Sequence, residues 1–241
     1  MLQEITPSLF CDGSPTAELI ALAQQFSLSL VTAQPSLPYL VFIDEKLCLV
    51  EPRAKYKPIV VDFLGGKNRH REQFGGGKNQ LICKAVGIST NYKPSVLDMT
   101  AGLGGDAFVL AALGCNVAMQ ERNPMVAALL NDGVQRLKAS GSDISLALFH
   151  TDSLQSSTSI SADVVYLDPM YPDTKSKAAA NKEMTVFKDI VGKDVDAAGL
   201  LERAKSAAIY RVVVKRPKKG ELLGGVEPTY QQIGKSSRYD I

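Results

Sequence analysis

The chain of 241 residues has no tryptophan, only two histidines, His70 and His150, and four cysteines spaced far apart. Cys11, Cys48, Cys83 and Cys115 form no C-x-x-C pair, which argues against both a zinc site and a disulfide framework. The thiols are therefore expected to be reduced and mainly buried, and no metal is expected. No window approaches the roughly 18 uninterrupted apolar residues of a membrane span. The opening stretch MLQEITPSLFCDG has neither a basic leader nor an apolar signal core, which predicts a cytoplasmic protein with no membrane partner. With 45% hydrophobic and 22% charged residues, fibrous and disordered classes are excluded. The length suits one large domain, or a main domain with a small companion.

A strong net charge is also missing, at +2, yet the cations are unevenly placed. Between Arg53 and Lys93 many lysines and arginines face only Asp62 and Glu72, and the segment from Arg203 onward repeats the bias. Two basic patches flanking a more acidic centre suit a polyanion, although solvated surface charge is the plain alternative. Lys67, Arg69, Arg71 and Lys78 in the first window, and Lys215, Arg216, Lys218 and Lys219 in the second, are the candidates to hold phosphates.

What the chain does contain is a regular alternation. Residues 1–57 read as a small α/β subdomain, with a helix over 16–26 and two strands, 39–43 and 47–50, around a turn at 44–46. A glycine-rich, basic stretch follows, and then a helix over 80–87. From residue 95 onward short apolar strands at 95–99, 115–120, 146–149, 163–167 and 210–215 alternate with helices at 106–113 and 124–137, the latter entered at Asn123-Pro124. This pattern predicts a doubly wound, mostly parallel α/β sheet over residues 58–241, with residues 226–241 adding a final strand or hairpin beside the strand at 210–215.

In Asp98-Met99-Thr100-Ala101-Gly102-Leu103-Gly104-Gly105-Asp106, a strand enters a glycine turn that opens a helix, the place where such sheets bind nucleotides. Gly102, Gly104 and Ala107 also satisfy a dinucleotide fingerprint, and a simple tight turn is a third reading. However, Asp98 and Asp106 would repel a pyrophosphate and attract a cation, which favours S-adenosyl-L-methionine, with its ammonium and sulfonium, over NAD. Glu121, at the end of the next strand, is placed to accept both hydrogen bonds of a ribose diol, with a helix-terminus role as its alternative. Asp152 and Ser153, in the turn after the third strand, face the position of an adenine edge or merely cap a helix. The fourth strand ends in Asp168-Pro169-Met170-Tyr171-Pro172. Asp168 can accept from an exocyclic amine, the Pro169 carbonyl is a second acceptor, and Tyr171 offers a ring for a base to stack on.

Asp168 to Pro172 resembles the Asp/Asn-Pro-Pro-Tyr/Phe signature of class I methyltransferases that act on planar amino groups, departing from it at Met170. Together with Asp62-Phe63-Leu64-Gly65-Gly66, Phe74-Gly75-Gly76-Gly77, Glu121-Arg122-Asn123-Pro124 and Val214-Lys215-Arg216-Pro217, the chain is similar to the YhiQ-like ribosomal RNA small subunit methyltransferase J family over roughly residues 58–241. The resemblance implies a Rossmann-like fold and methyl transfer to a guanine 2-amino group of 16S ribosomal RNA, free or in the small ribosomal subunit. It also implies donor contacts at Gly105-Asp106, Glu121-Arg122, Asp152-Ser153 and Asp168. The rivals are an adenine 6-amino or glutamine amide acceptor, a nicotinamide-dependent oxidoreductase and a catalytically silent RNA-binding protein.

Overall fold

The computed structural model describes residues 6–51, 57–65, 80–155, 160–170 and 197–241. Strand β1 (Ser8–Phe10) leads to helix α1 (Ala17–Gln25), where the Thr16 hydroxyl caps the first turn by accepting from the Leu19 N–H. Strands β2 (Ser29–Val31), β3 (Tyr39–Ile43) and β4 (Lys46–Val50) follow. Asp44 and Glu45 both take positive φ, at 48° and 62°, which closes the β3–β4 hairpin in two residues. These strands form a four-stranded sheet in the order β2-β1-β3-β4. The three-residue strands β1 and β2 are not expected from the sequence, because segments so short carry no period of their own.

The larger sheet is built from β5 (Ser95–Asp98), β6 (Asn116–Glu121), β7 (Leu146–His150), β8 (Ala162–Leu167), β9 (Ala208–Pro217), β10 (Gln231–Ile233) and β11 (Ser237–Asp240). Helix α2 (Leu81–Val86) precedes β5, and α3 (Gly105–Ala112), α4 (Pro124–Ala139) and α5 (Ala197–Ala207) run between the strands. The strand order is β10-β11-β9-β8-β5-β6-β7. Strands β5 to β9 pair in parallel, and the expected C-terminal hairpin lies antiparallel against β9. The chain winds outward from β5 through β6 to β7, then returns to the other side of β5, so the winding direction switches between β5 and β8. At such a switch point the carboxyl ends of the strands diverge and leave a crevice.

Strand parity sorts the core onto the two faces. Val96, Tyr166 and Val213 pack with Phe108 and Leu110 of α3 and with Leu129 of α4. Leu97, Val165 and Val214 pack on the other face, against Leu200, Leu201 and Ala204 of α5. The first of these clusters continues into Leu9, Phe26, Leu40 and Leu47, so the four-stranded sheet shares its apolar core with the larger one. An ionic cluster borders the same junction. Asp62 pairs with Lys46 at 2.7 Å, and Arg136 of α4 pairs with Asp132 at 2.8 Å and donates to the Val61 carbonyl. The four cysteines are buried, and burial pushes the Cys115 thiol up to about 11.

Candidate active site

A crevice of about 260 Å³ opens at the carboxyl ends of β5, β6, β8 and β9. Its floor is the glycine turn after β5. Gly102 and Gly104 take φ of 53° and 73°, and a Cβ on Gly104 would lie 2.6 Å from Leu130 Cδ1 and 3.0 Å from Phe63 Cζ. Only glycine fits at position 104, because the left-handed turn packs directly onto the core beneath the crevice. Glu121 fastens this turn: its Oε2 accepts from the Gly102 N–H at 2.9 Å and its Oε1 from the Asn123 N–H at 2.7 Å. A carboxylate has about four acceptor positions, so Glu121 can hold the turn and still receive a diol.

Five carboxyl groups line the crevice, and Asp98, Asp106, Glu121 and Asp168 lie near one another. Asp98 is almost completely buried and accepts from the Thr100 N–H at 3.0 Å. Burial, reinforced by the nearby Asp106, Asp168 and Glu121, pushes its carboxyl up to about 8. At neutral pH Asp98 is therefore mostly protonated, and it contributes polarity rather than the charge that the sequence suggested. Asp106, in the first turn of α3, accepts from the Tyr166 hydroxyl and from Lys215 Nζ, both at 2.7 Å. Lys215 Nζ also donates to Asp168 at 2.8 Å. Burial raises the Asp168 carboxyl above its usual range even with Lys215 opposing it. Burial likewise works against the Lys215 ammonium, but the two aspartates outweigh it and hold its pKa above that of an ordinary lysine.

The expected site residues mostly converge here. Asp98, Gly102, Gly105, Asp106, Glu121, Arg122, Asp152, Ser153 and Asp168 line the crevice, and Gly104 lies beneath it. Arg122 is exposed at the rim. The Ser153 hydroxyl donates to the Met99 carbonyl at 2.8 Å, and Asp152 accepts from the Leu154 N–H at 3.0 Å, so both shape the wall. Pro169 is buried directly after Asp168, whose N–H donates to the Thr100 hydroxyl at 2.7 Å. Tyr171, Lys67, Arg69, Arg71 and Lys78 lie outside the described residues.

The second basic group is corrected by the structure. Lys215 follows the parity of buried Val213 and turns into the crevice, while Arg216 is buried with only 6% of its surface exposed, so neither is a surface contact for phosphate. Lys218 and Lys219 do stand exposed. Arg238, from the same basic segment, is buried too, pairing with Asp240 and donating to the Pro217, Lys218 and Gly220 carbonyls. Three crevice residues, Thr100, Gln120 and Tyr166, are not singled out by the sequence. Tyr166 is legible in principle, two positions before Asp168 on the same strand face. Gln120 is buried, and its Oε1 has no hydrogen-bond partner among the described residues, which leaves an acceptor for a ligand.

These residues fit S-adenosylmethionine: acids for a cationic donor, an acceptor pair beside the glycine turn, and an unmatched buried oxygen. The SAM_MT family model, described as SAM-dependent methyltransferase, matches residues 21–241. A ribosomal RNA small subunit methyltransferase J of Serratia proteamaculans is 46% identical over 97% of this chain and 97% of its own length. The protein of that name from Saccharophagus degradans is 47% identical over 90% of this chain and 89% of its own. A crystal structure of a SAM-dependent methyltransferase from Neisseria gonorrhoeae superimposes with a TM-score of 0.75 at 37% identity, covering 98% and 94% of the two chains. The likeness thus runs beyond residues 58–241 into the four-stranded sheet. A doubly wound fold, an acid-lined crevice at its switch point and relatives matched over nearly their whole length place the chain in the ribosomal RNA small subunit methyltransferase J family of SAM-dependent methyltransferases.

Proposed function

We propose that the chain methylates the exocyclic 2-amino group of a guanine in 16S ribosomal RNA, working in the cytoplasm on the free RNA or the small subunit. The observation that carries this reading is the position of Asp168, which follows the end of β8 and lines the same crevice as Gly102 and Gly105, with Pro169 directly after it in the chain. S-adenosylmethionine supplies an electrophilic methyl group on a sulfonium centre. Asp106 and the turn hold the methionyl part, and Glu121 accepts from the ribose hydroxyls. Asp152, with Gln120 Oε1, faces the adenine.

A guanine 2-amino lone pair is delocalised into the ring, so the protein's main task is orientation. Asp168 accepts from the amine, the Pro169 carbonyl accepts its second hydrogen, and the positive charge that develops on nitrogen is met by the carboxylate. Tyr171 then stacks on the base. Lys218 and Lys219, with Lys67, Arg69, Arg71 and Lys78, grip phosphates of the RNA.

The test is tritium transfer from labelled donor to 30S subunits, free 16S RNA and total tRNA, followed by nucleoside analysis. Label in N2-methylguanosine of the small-subunit RNA is expected. Label in adenosine, in tRNA alone or in protein would overturn the acceptor assignment.

A further inference from the structure

Lys215 joins the donor side of the crevice to the acceptor side through a single ammonium. Its ammonium lies 2.7 Å from Asp106 at the start of α3 and 2.8 Å from Asp168 at the end of β8. We infer that Lys215 is a positioning residue, whose ammonium, in contact with both aspartates, supports the charge on Asp168 and aims its carboxylate at the acceptor amine. This rests on the methyl-transfer reading above.

Among the described residues the surroundings of Asp168 are crowded with acid. Asp98 faces it from β5, Asp106 from α3 and Tyr166 from its own strand, with Glu121 of β6 behind Asp98. Against these stand Lys215 and Arg216 of β9. Only Lys215 hydrogen-bonds the carboxylate directly in this set. Like charges sharing a site drive one member to take up a proton. A protonated Asp168 would keep one acceptor oxygen but lose the charge that meets the developing ammonium. Because one ammonium bonds both Asp106 and Asp168, the same contact sets the distance of the Asp168 carboxylate from the donor turn.

The experiment compares Lys215→Met, Lys215→Gln and Lys215→Arg in the full chain with wild type. Two quantities are measured: the pH profile of methyl transfer, and the titration of the Asp168 carboxyl by carbon-13 NMR. Loss of the charge in Met or Gln is expected to lower kcat about ten- to hundred-fold at pH 7 while the donor KM stays near its wild-type value. The Asp168 titration and the acid limb of the profile should both move to higher pH, so part of the rate returns as the pH rises. Arg should restore the titration, although its broader head restores the rate only in part. Equal losses at every pH with an unmoved Asp168 titration would overturn the proposal, leaving Lys215 a packing residue. The carboxyl titration does not depend on the acceptor. If wild type methylates no RNA the functional reading falls, while a shifted Asp168 titration still upholds the role of Lys215 and an unshifted one overturns it. If Met does not fold, Gln carries the same decision.

Discussion

Two ionic clusters of similar chemistry do opposite things in this protein. At the junction of the two sheets, Asp62 and Asp132 meet Lys46 and Arg136, acid for cation. Burial opposes the Asp62 charge there, yet Lys46, the Leu64 N–H and Arg136 together hold its carboxyl below the ordinary range. In the crevice, Asp98, Asp106, Glu121 and Asp168 outnumber the cations beside them, and the carboxyls of Asp98 and Asp168 are pushed upward. The crowding of carboxyl groups, not the residue types, separates a joint from a binding site. A cluster that satisfies itself stabilises the fold, whereas one with surplus acid waits for positive charge to arrive with a ligand.

The contrast breaks most visibly at Asp168. Asp168→Ala is expected to reduce methyl transfer by about a hundred-fold or more, since a charge-assisted hydrogen bond and the orientation it provides both disappear. The melting temperature at neutral pH should hold, because removing one crowded acid relieves repulsion. Tritium transfer beside calorimetry checks both halves, and near-normal turnover would remove Asp168 from the site.

Arg136→Ala should show the converse. With its bonds to Asp132, Asp62 and the Val61 carbonyl gone, a stability loss of about 2 to 3 kcal/mol is expected in urea melts, with turnover per folded molecule unchanged. A fall in turnover without destabilisation would erase the distinction between the clusters.

Asp98→Asn sharpens it through pH. The folded carboxyl titrates at about 8 against an ordinary value of 3.8, so between those limits the folded state holds a proton that the unfolded state has released. Stability from this group is therefore full at low pH and declines as pH rises through that window. Asparagine keeps the acceptor for the Thr100 N–H and cannot ionise, so melting temperatures above pH 7 should rise and their pH dependence flatten. An unchanged pH slope would mean that Asp98 is charged in the fold.

The smallest effect is expected from cations that belong to neither cluster. Replacing Lys218 and Lys219 together by glutamine should flatten the slope of log RNA affinity against log salt by about 0.7 to 0.9 for each phosphate no longer neutralised, without changing donor affinity. Filter binding across a salt series measures this, and an unchanged slope makes both residues solvated surface.

Much of this architecture is legible in the sequence. The apolar strands β5, β6 and β8 announce themselves because inner parallel strands are buried on both faces, and Asn123-Pro124 marks the start of α4, where the Asn123 side chain accepts from the Met125 and Val126 N–H groups. Strands β1 and β2 cannot be seen there, since their pairing partners lie about twenty positions or more away. Helix α5 escapes notice because it carries little apolar signal beyond Leu200, Leu201 and Ala204. Lys215 misleads for a different reason. It stands in a run of charges and reads as one of them, when the parity it shares with buried Val213 turns it into the crevice. Glu121 falls where the sequence puts it, but that it also fastens the glycine turn depends on a contact across nineteen positions.

The bond from Lys215 to Asp106 spans 109 positions of sequence, and that from Tyr166 to Asp106 spans 60. Closing so long a loop adds little to the thermodynamic cost, about 0.6 kcal/mol for each doubling of its length. It does delay the contact, because distant strands must find one another before either end benefits. The crevice is thus a product of the finished sheet and not of any local segment that could form ahead of it. A ligand seated there is linked to the folding of the whole parallel sheet, so its binding energy appears as global stability. Partly folded chains should bind no donor at all, and donor binding becomes a reporter of complete folding.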